Sequence, residues 1–279
     1  MKSFRLNRLF NSKSNKCFDV AIDHGNFNVY KFLNGIKNIQ AAIEILVKAN
    51  PDAIQLPVGN ARHLQSIPGK QKPALVMRTD TANVYGNKLP KHLFARMLEN
   101  AAEQAVKMDA ACIVVNLFKI PGAPEVTDHC IQNIMKLKVE AEKYSMPMMI
   151  EPLVFKPNEV AGGYMVDGKT EDLVALVRLA VELGADIIKA DPTDDPNDYH
   201  NVIEIAGDIP VLARGGGVVS DKEILERTEA LIKQGAAGIV YGRAIIHHEK
   251  PFEMTKALKG IVHDNLTADE AIKYLKNNS

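Results

Sequence analysis

The 279-residue chain predicts an α/β protein, a single (β/α)8 TIM barrel spanning residues 1–279. Three observations lead there. Eight short apolar runs alternate with longer amphipathic ones, the rhythm of β-α units feeding a parallel sheet. Several of the short runs are continuously aliphatic, as strands covered on both faces must be. Polar residues collect just where those runs stop, which is the end on which barrel enzymes build their active sites. An open doubly wound sheet is the competing architecture.

The predicted strands, taken in order, are Phe18–Ile22, Ala53–Leu56, Ala74–Arg78, Ala111–Asn116, Met148–Glu151, Ile187–Lys189, Val211–Ala213 and Gly238–Tyr241. The first leads into Asp23-His24-Gly25, the third into Arg78-Thr79-Asp80, the fourth into Asn116 and the fifth into Glu151. The sixth reaches Lys189, the seventh Arg214-Gly215-Gly216-Gly217 and the eighth Gly242-Arg243. The helices between them carry start and stop signals. Thr170 is expected as an N-cap before an acidic first turn, with Gly184 as the stop. Ser220 with Glu223, and Thr267 with Glu270, have capping-box spacing. The longest irregular stretch is Phe155–Thr170, after the fifth strand, and reads either as a substrate lid or as an ordinary surface loop.

Composition narrows the function classes. Basic and acidic residues balance at 34 each, so no generic attraction to nucleic acid or an anionic membrane is expected. Cys17, Cys112 and Cys130 are widely spaced, which fits a reducing compartment and no disulfide framework. Residues 1–16 are basic without an apolar core, and no run approaches a membrane span. A cytoplasmic protein is expected.

Lys189 ends the apolar run Ala185-Asp186-Ile187-Ile188-Lys189. Burial penalises an ammonium and lowers its pKa, giving a nucleophilic amine that can form a Schiff base with a carbonyl. The plain alternative is a structural lysine reaching solvent or an acidic partner such as Asp23. Asp23 in turn reads as an active-site acid or as a counter-ion that would raise the lysine pKa. Glu151, before Pro152, reads as a proton-transfer group or as a strand end. His24 reads better as a packed residue than as a base. Gly215, Gly216, Gly217 and Gly242, with Arg243 and Arg214, suit a phosphate, because glycines let backbone N–H groups approach an anion and arginine adds a bidentate contact. Arg78, Asp80, Asn116 and Lys119 are expected to line the distal end of the substrate site. His247-His248 are sequence neighbours and cannot face one ligand from a helix, so no metal and no cofactor are expected.

The segments Ala21-Ile22-Asp23-His24-Gly25, Gly184-Ala185-Asp186-Ile187-Ile188-Lys189, Arg214-Gly215-Gly216-Gly217 and Tyr241-Gly242-Arg243-Ala244-Ile245-Ile246 resemble the archaeal-type class I fructose-bisphosphate aldolases. That group also holds aminodideoxyheptulosonate synthase and the autoinducer-2 thiolase. The resemblance runs from about residue 17 to 262 and implies a Schiff-base lysine at Lys189, an active-site aspartate at Asp23 and a phosphate site after strands seven and eight. It also implies a homo-oligomer, often a decamer. Strand five departs from the pattern. Where those aldolases carry a tyrosine in a Tyr-Pro-Arg-Gly stretch, this chain has Ile150-Glu151-Pro152-Leu153-Val154-Phe155, with Leu153 at the tyrosine position. The Ile-Glu-Pro segment is similar to strand five of the tagatose-bisphosphate and sulfofructose-phosphate aldolases, where a glutamate can move protons. The expectation is a metal-independent class I aldolase acting on a phosphorylated ketose. A thiolase- or transaldolase-like transferase using the same lysine, and an inactive phosphosugar-binding barrel, are the alternatives.

Overall fold

The computed structural model describes residues 2–69, 71–86, 89, 91–160, 163–215, 217 and 219–277. Eight parallel strands close on themselves: β1 (Cys17–Ala21), β2 (Ala53–Pro57), β3 (Ala74–Arg78), β4 (Ala110–Lys119), β5 (Met148–Pro157), β6 (Ile187–Ala190), β7 (Val211–Arg214) and β8 (Gly238–Tyr241). Each pairs with the next, and β8 returns to β1 through Cys17–Gly238 to Val20–Tyr241. With helices around the outside, this is a (β/α)8 barrel.

The chain enters beneath it. Leu6, Leu9 and Phe10 pack against the interior residues Cys17, Ala53, Ala74, Cys112, Met149, Ile187 and Leu212 and close the amino end. The surrounding basic residues hold that plug by polar contacts: Lys2 pairs with Glu142 and Asp186, Arg5 donates to the Ala110 carbonyl at 2.7 Å, and Arg8 pairs with Asp109. A larger apolar layer lies between strands and helices.

Three local features set which side chains reach the carboxyl end. In β4 the register jumps from Leu75–Ala110 to Val76–Cys112, leaving Ala111 as an extra residue. The bulge resets the alternation, so Cys112 and Val114 join the interior layer and Asn116 follows them upward. β5 does not stop at Glu151. It runs to Pro157, and Phe155–Pro157 pairs with the returning strand Tyr164–Val166, so the stretch expected to be irregular contains a β-arm and turns helical at Thr170. Pro152 is tolerated because β5 pairs with β6 only through Met149 and Ile150, while its other edge pairs with β4 as far as Val154. Above β3, Asp80–Ala82 and Ala95–Met97 form a second antiparallel arm.

Helix boundaries mostly follow the caps. The Ser220 side chain accepts from Glu223 N–H, and Thr267 and Glu270 satisfy each other's backbone amides. Gly184, at φ +83°, ends its helix in the left-handed region. Thr170 is the exception. It is already helical in Thr170–Glu182, and its hydroxyl donates to Asp198 at 2.9 Å, so Lys169 occupies the cap position. No helix of the described residues is long and apolar enough to cross a membrane.

Candidate active site

Above the apolar layer the interior becomes charged. Period-two alternation points Asp19 and Gln55, then Arg78, Glu151, Lys189 and Arg214, into the barrel. All of these are buried except Arg214, whose side chain is 14% exposed. Lys189 Nζ lies 3.1 Å from Glu151 Oε2 and 3.2 Å from Gln55 Oε1. Arg78 is the hub: its Nε donates to Asp23 Oδ2 at 2.7 Å, Nη1 to Asp80 Oδ1 at 3.2 Å, and Nη2 to Glu151 Oε2. Gln55 Nε2 also donates to Asp23 Oδ2, at 2.7 Å, so one glutamine side chain bridges the lysine and the aspartate. Arg214 joins Glu151 at 2.9 Å to Asp191 at 2.8 Å.

These contacts fix the protonation states. Burial lowers the Lys189 pKa; Glu151 opposes that, while Arg78 and Arg214 reinforce it. Burial alone would raise Glu151, but Lys189, Arg78 and Arg214 overcome it and hold the carboxylate well below its ordinary range. Asp23 is likewise held low, by Arg78 and Lys189 against its own burial. Burial pushes Asp80 and Asp191 up, with Arg78 and Arg214 in opposition. Burial also pushes His24 down to about 3, so its ring is neutral despite the neighbouring Asp23. Asp19 stands apart. Neither carboxylate oxygen has a hydrogen-bond partner, and burial raises its pKa to about 7, with Lys189 the main opposing charge.

Asp23, Lys189 and Glu151 thus meet in one cluster, as expected from the strand ends. Arg78, expected at the distal end, sits at its centre. Asp80 is engaged by Arg78 and by the backbone and side-chain nitrogens of Asn116, both at 2.9 Å, and so braces the hub. Lys119 pairs with Asp172 at 2.6 Å, with half its side chain exposed.

A small inner cavity is lined by Asp23, His24, Glu151, Lys189, Gly215 and Gly242, among others. It shares Arg214 and Arg243 with an outer cavity of about 1040 Å³ that reaches Tyr85, Tyr164, Gly217 and Arg227. The expected phosphate residues therefore lie where the cavities join; Gly216 falls outside the described residues. Two of the glycines have steric reasons. A Cβ on Gly242 would stand 2.4 Å from the Ala21 carbonyl oxygen, and one on Gly215 would stand 2.8 Å from the Tyr241 ring. Arg243 lies over the Phe32 ring at 5.0 Å. Arg214 is committed to two carboxylates, and Arg243, Gly215 and Gly242 line the inner cavity beside it. His248 pairs with Asp221 at 3.3 Å.

Sequence reasoning missed Gln55, Asp19, Asp191 and Tyr85. Asp19 and Gln55 had a readable signal, since each is the lone polar residue within an apolar strand. Asp191 lies two positions beyond Lys189, on the same alternation.

A family model described as "DeoC/LacD family aldolase" matches residues 17–248. An uncharacterized aldolase of Saccharolobus solfataricus is 31% identical over 279 residues, covering 98% of both chains. A 3-hydroxy-5-phosphonooxypentane-2,4-dione thiolase of Photorhabdus laumondii is 32% identical over 267 residues, covering 96% of this chain and 84% of its own. The crystal structure of an archaeal fructose 1,6-bisphosphate aldolase superimposes with a TM-score of 0.75 at 20% identity, covering 95% of this chain and 100% of that one.

Proposed function

This chain belongs to the DeoC/LacD aldolase family, and we propose that within it the protein is a metal-independent class I aldolase cleaving or forming a carbon–carbon bond in a phosphorylated ketose. The observation that carries this reading is Lys189: a buried amine on β6, depressed in pKa, facing a cavity beside Glu151.

Desolvation and the two arginines favour the neutral amine, whose lone pair attacks the substrate ketone. The alkoxide formed on attack is protonated from solvent; the resulting N-protonated carbinolamine is more acidic than an ammonium, and Glu151, 3.1 Å away, takes its proton. Returning that proton to the carbinolamine hydroxyl expels water and leaves an iminium ion. The glutamate, again ionised, stabilises that cation at short range. Gln55 fixes the nitrogen against Asp23, which is placed to serve the remaining proton transfers. The carbon–carbon electrons then flow toward the iminium and leave an enamine. Arg243 and the glycines of the β7 and β8 turns hold the phosphate, so binding energy remote from the carbonyl positions it against the amine.

Lys189→Ala should retain its fold by circular dichroism and lose turnover across an aldol panel. Activity retained in that variant would sink the mechanism. A second reading, a thiolase-like acyl transfer from the same lysine, is favoured by the 32% identity with a thiolase and by the room in the outer cavity. Acetyl-CoA dependence, or transfer to an acceptor without release of free triose, would select it.

A further inference from the structure

Three cations converge on the carboxylate that has to take a proton from Lys189. Glu151 Oε2 meets Lys189 at 3.1 Å and also Arg78, while Oε1 meets Arg214 at 2.9 Å. Each cation stabilises the ionised form, and together they hold Glu151 well below its ordinary range against its own burial. A carboxylate held that low is a weak base, because base strength falls with pKa. The resting network places Glu151 but disarms it, so one cation has to loosen its hold during the reaction.

Lys189 is not that cation, since its proton is the one being moved. Arg78 is sealed at 2% exposure and also serves Asp23 and Asp80. Arg214 differs. Its side chain is 14% exposed, and it lines both the inner and the outer cavity. It uses Nε for Glu151 and Nη1 for Asp191, while Nη2 makes no hydrogen bond among the described residues and is not sealed from solvent. Gly215, the next residue, and Arg243 line the inner cavity with it, so an anion seated at the junction of the cavities lies beside this guanidinium. We infer that Arg214 is a positioning residue that couples an anion at that junction to Glu151, releasing the carboxylate to act as the base for Lys189. The inference rests on the Schiff-base reading of Lys189 and gives the substrate phosphate a part in the chemistry beyond anchoring.

The coupling is electrostatic. An anion against Arg214 offsets its charge, the attraction on Oε1 weakens, and Glu151 becomes more basic. Lys189 feels the change less, because Arg214 touches Glu151 and ranks behind Glu151, Arg78 and Asp23 among the charges on the amine. Asp19, Asp23, Asp80, Asp191 and the Tyr85 phenol also bear on Glu151, and the carboxylates among them favour its protonated form. Oε2 then takes the N–H proton of the carbinolamine, and the N–H pair becomes the nitrogen lone pair. The neutral carboxyl passes that proton to the carbinolamine hydroxyl, which leaves as water while the lone pair forms the iminium bond.

The test separates the ketone from the phosphate. Dihydroxyacetone is mixed with the protein at constant ionic strength, with and without inorganic phosphate, and the adduct on Lys189 is followed by timed borohydride quenching and peptide mapping. Phosphate should speed adduct formation in wild type at least about 10-fold, and the gain should saturate. A gain that grows linearly with phosphate is buffer catalysis and overturns the inference, as does no gain. Arg214→Gln, already relieved of the cation, should form the adduct faster than untreated wild type and ignore phosphate. A residue that only held the phosphate would leave the rate with dihydroxyacetone alone unchanged, and that result overturns the coupling. Should Arg214→Gln fail to fold by circular dichroism, Asp191→Asn leaves Arg214 to Glu151 alone. Its adduct formation without phosphate should slow several-fold, and an unchanged rate overturns the role. An adduct with dihydroxyacetone phosphate but no phosphate effect on dihydroxyacetone removes this inference alone. No adduct with any phosphorylated ketose removes the Schiff-base reading with it.

Discussion

The two ends of the barrel interior share one geometry and differ completely in chemistry. Near the amino end the inward positions are Cys17, Ala53, Ala74, Cys112, Ile187 and Leu212, sealed by Leu6, Leu9 and Phe10. This layer needs only shape and apolar area. Further along the same strands, and just past the end of β1, equally buried positions hold Asp23, Gln55, Arg78, Glu151 and Lys189. There each charge must be matched, because burial without a partner costs several kcal/mol. The lower layer gives the barrel its stability, and the upper layer spends some of it to hold an amine and its proton acceptors in place. Asp19 lies at the boundary, a carboxylate beneath the ion-pair network with no hydrogen-bond partner.

Removing the hub should have the largest effect. Arg78→Met keeps comparable length but strips a cation from Asp23, Asp80 and Glu151 at once, and urea unfolding should register a loss of about 3–5 kcal/mol. A loss below about 1 kcal/mol would mean that the upper layer is not held by charge pairing.

Asp19 should affect stability mainly through pH. Its folded pKa of about 7 lies above the ordinary 3.8, so unfolding releases a proton between those values. Stability is therefore greatest below about pH 4 as far as this group is concerned, and falls as pH rises toward 7. The difference corresponds to roughly 4 kcal/mol at most. Asp23 and Glu151 have the opposite sign: their folded pKa values are depressed, so their contribution is present above about pH 4 and disappears on acidification. Asp19→Asn should flatten the decline between pH 4 and 7 while leaving the acid limb in place. An unchanged profile would show that Asp19 is not a buried, unpaired carboxyl. The smallest effect belongs to the lower layer, where Ile187→Val removes one methylene and should cost about 0.5–1.5 kcal/mol in urea unfolding, with no change in the pH profile.

The difference between the layers also explains what could be read in advance. Eight strands were legible because aliphatic runs separated by amphipathic helices leave few alternative topologies. Lys189, Asp23 and Glu151 were legible because polar residues gather where such runs end, the end on which barrel enzymes build their sites. Gln55 was hidden inside a run read only as apolar, although its single amide joins Lys189 to Asp23. The extent of β5 was misjudged because Pro152 suggests a stop, whereas pairing to β4 as far as Val154 and then to the returning strand Tyr164–Val166 carries it to Pro157. The bulge at Ala111 leaves no local signature, yet it decides which face of β4 meets the site. Tyr85 was out of reach because the path of its connection comes from packing against Phe27, Phe32 and Phe155, which are distant from it in sequence.

The most direct measurement is borohydride reduction in the presence of dihydroxyacetone phosphate, followed by intact mass and peptide mapping, with Lys189→Ala as the control. The account predicts one covalent adduct, on the peptide carrying Lys189, and none in the variant. An adduct on another lysine, or no adduct with this ketone or any of a panel of phosphorylated ketoses, would contradict it.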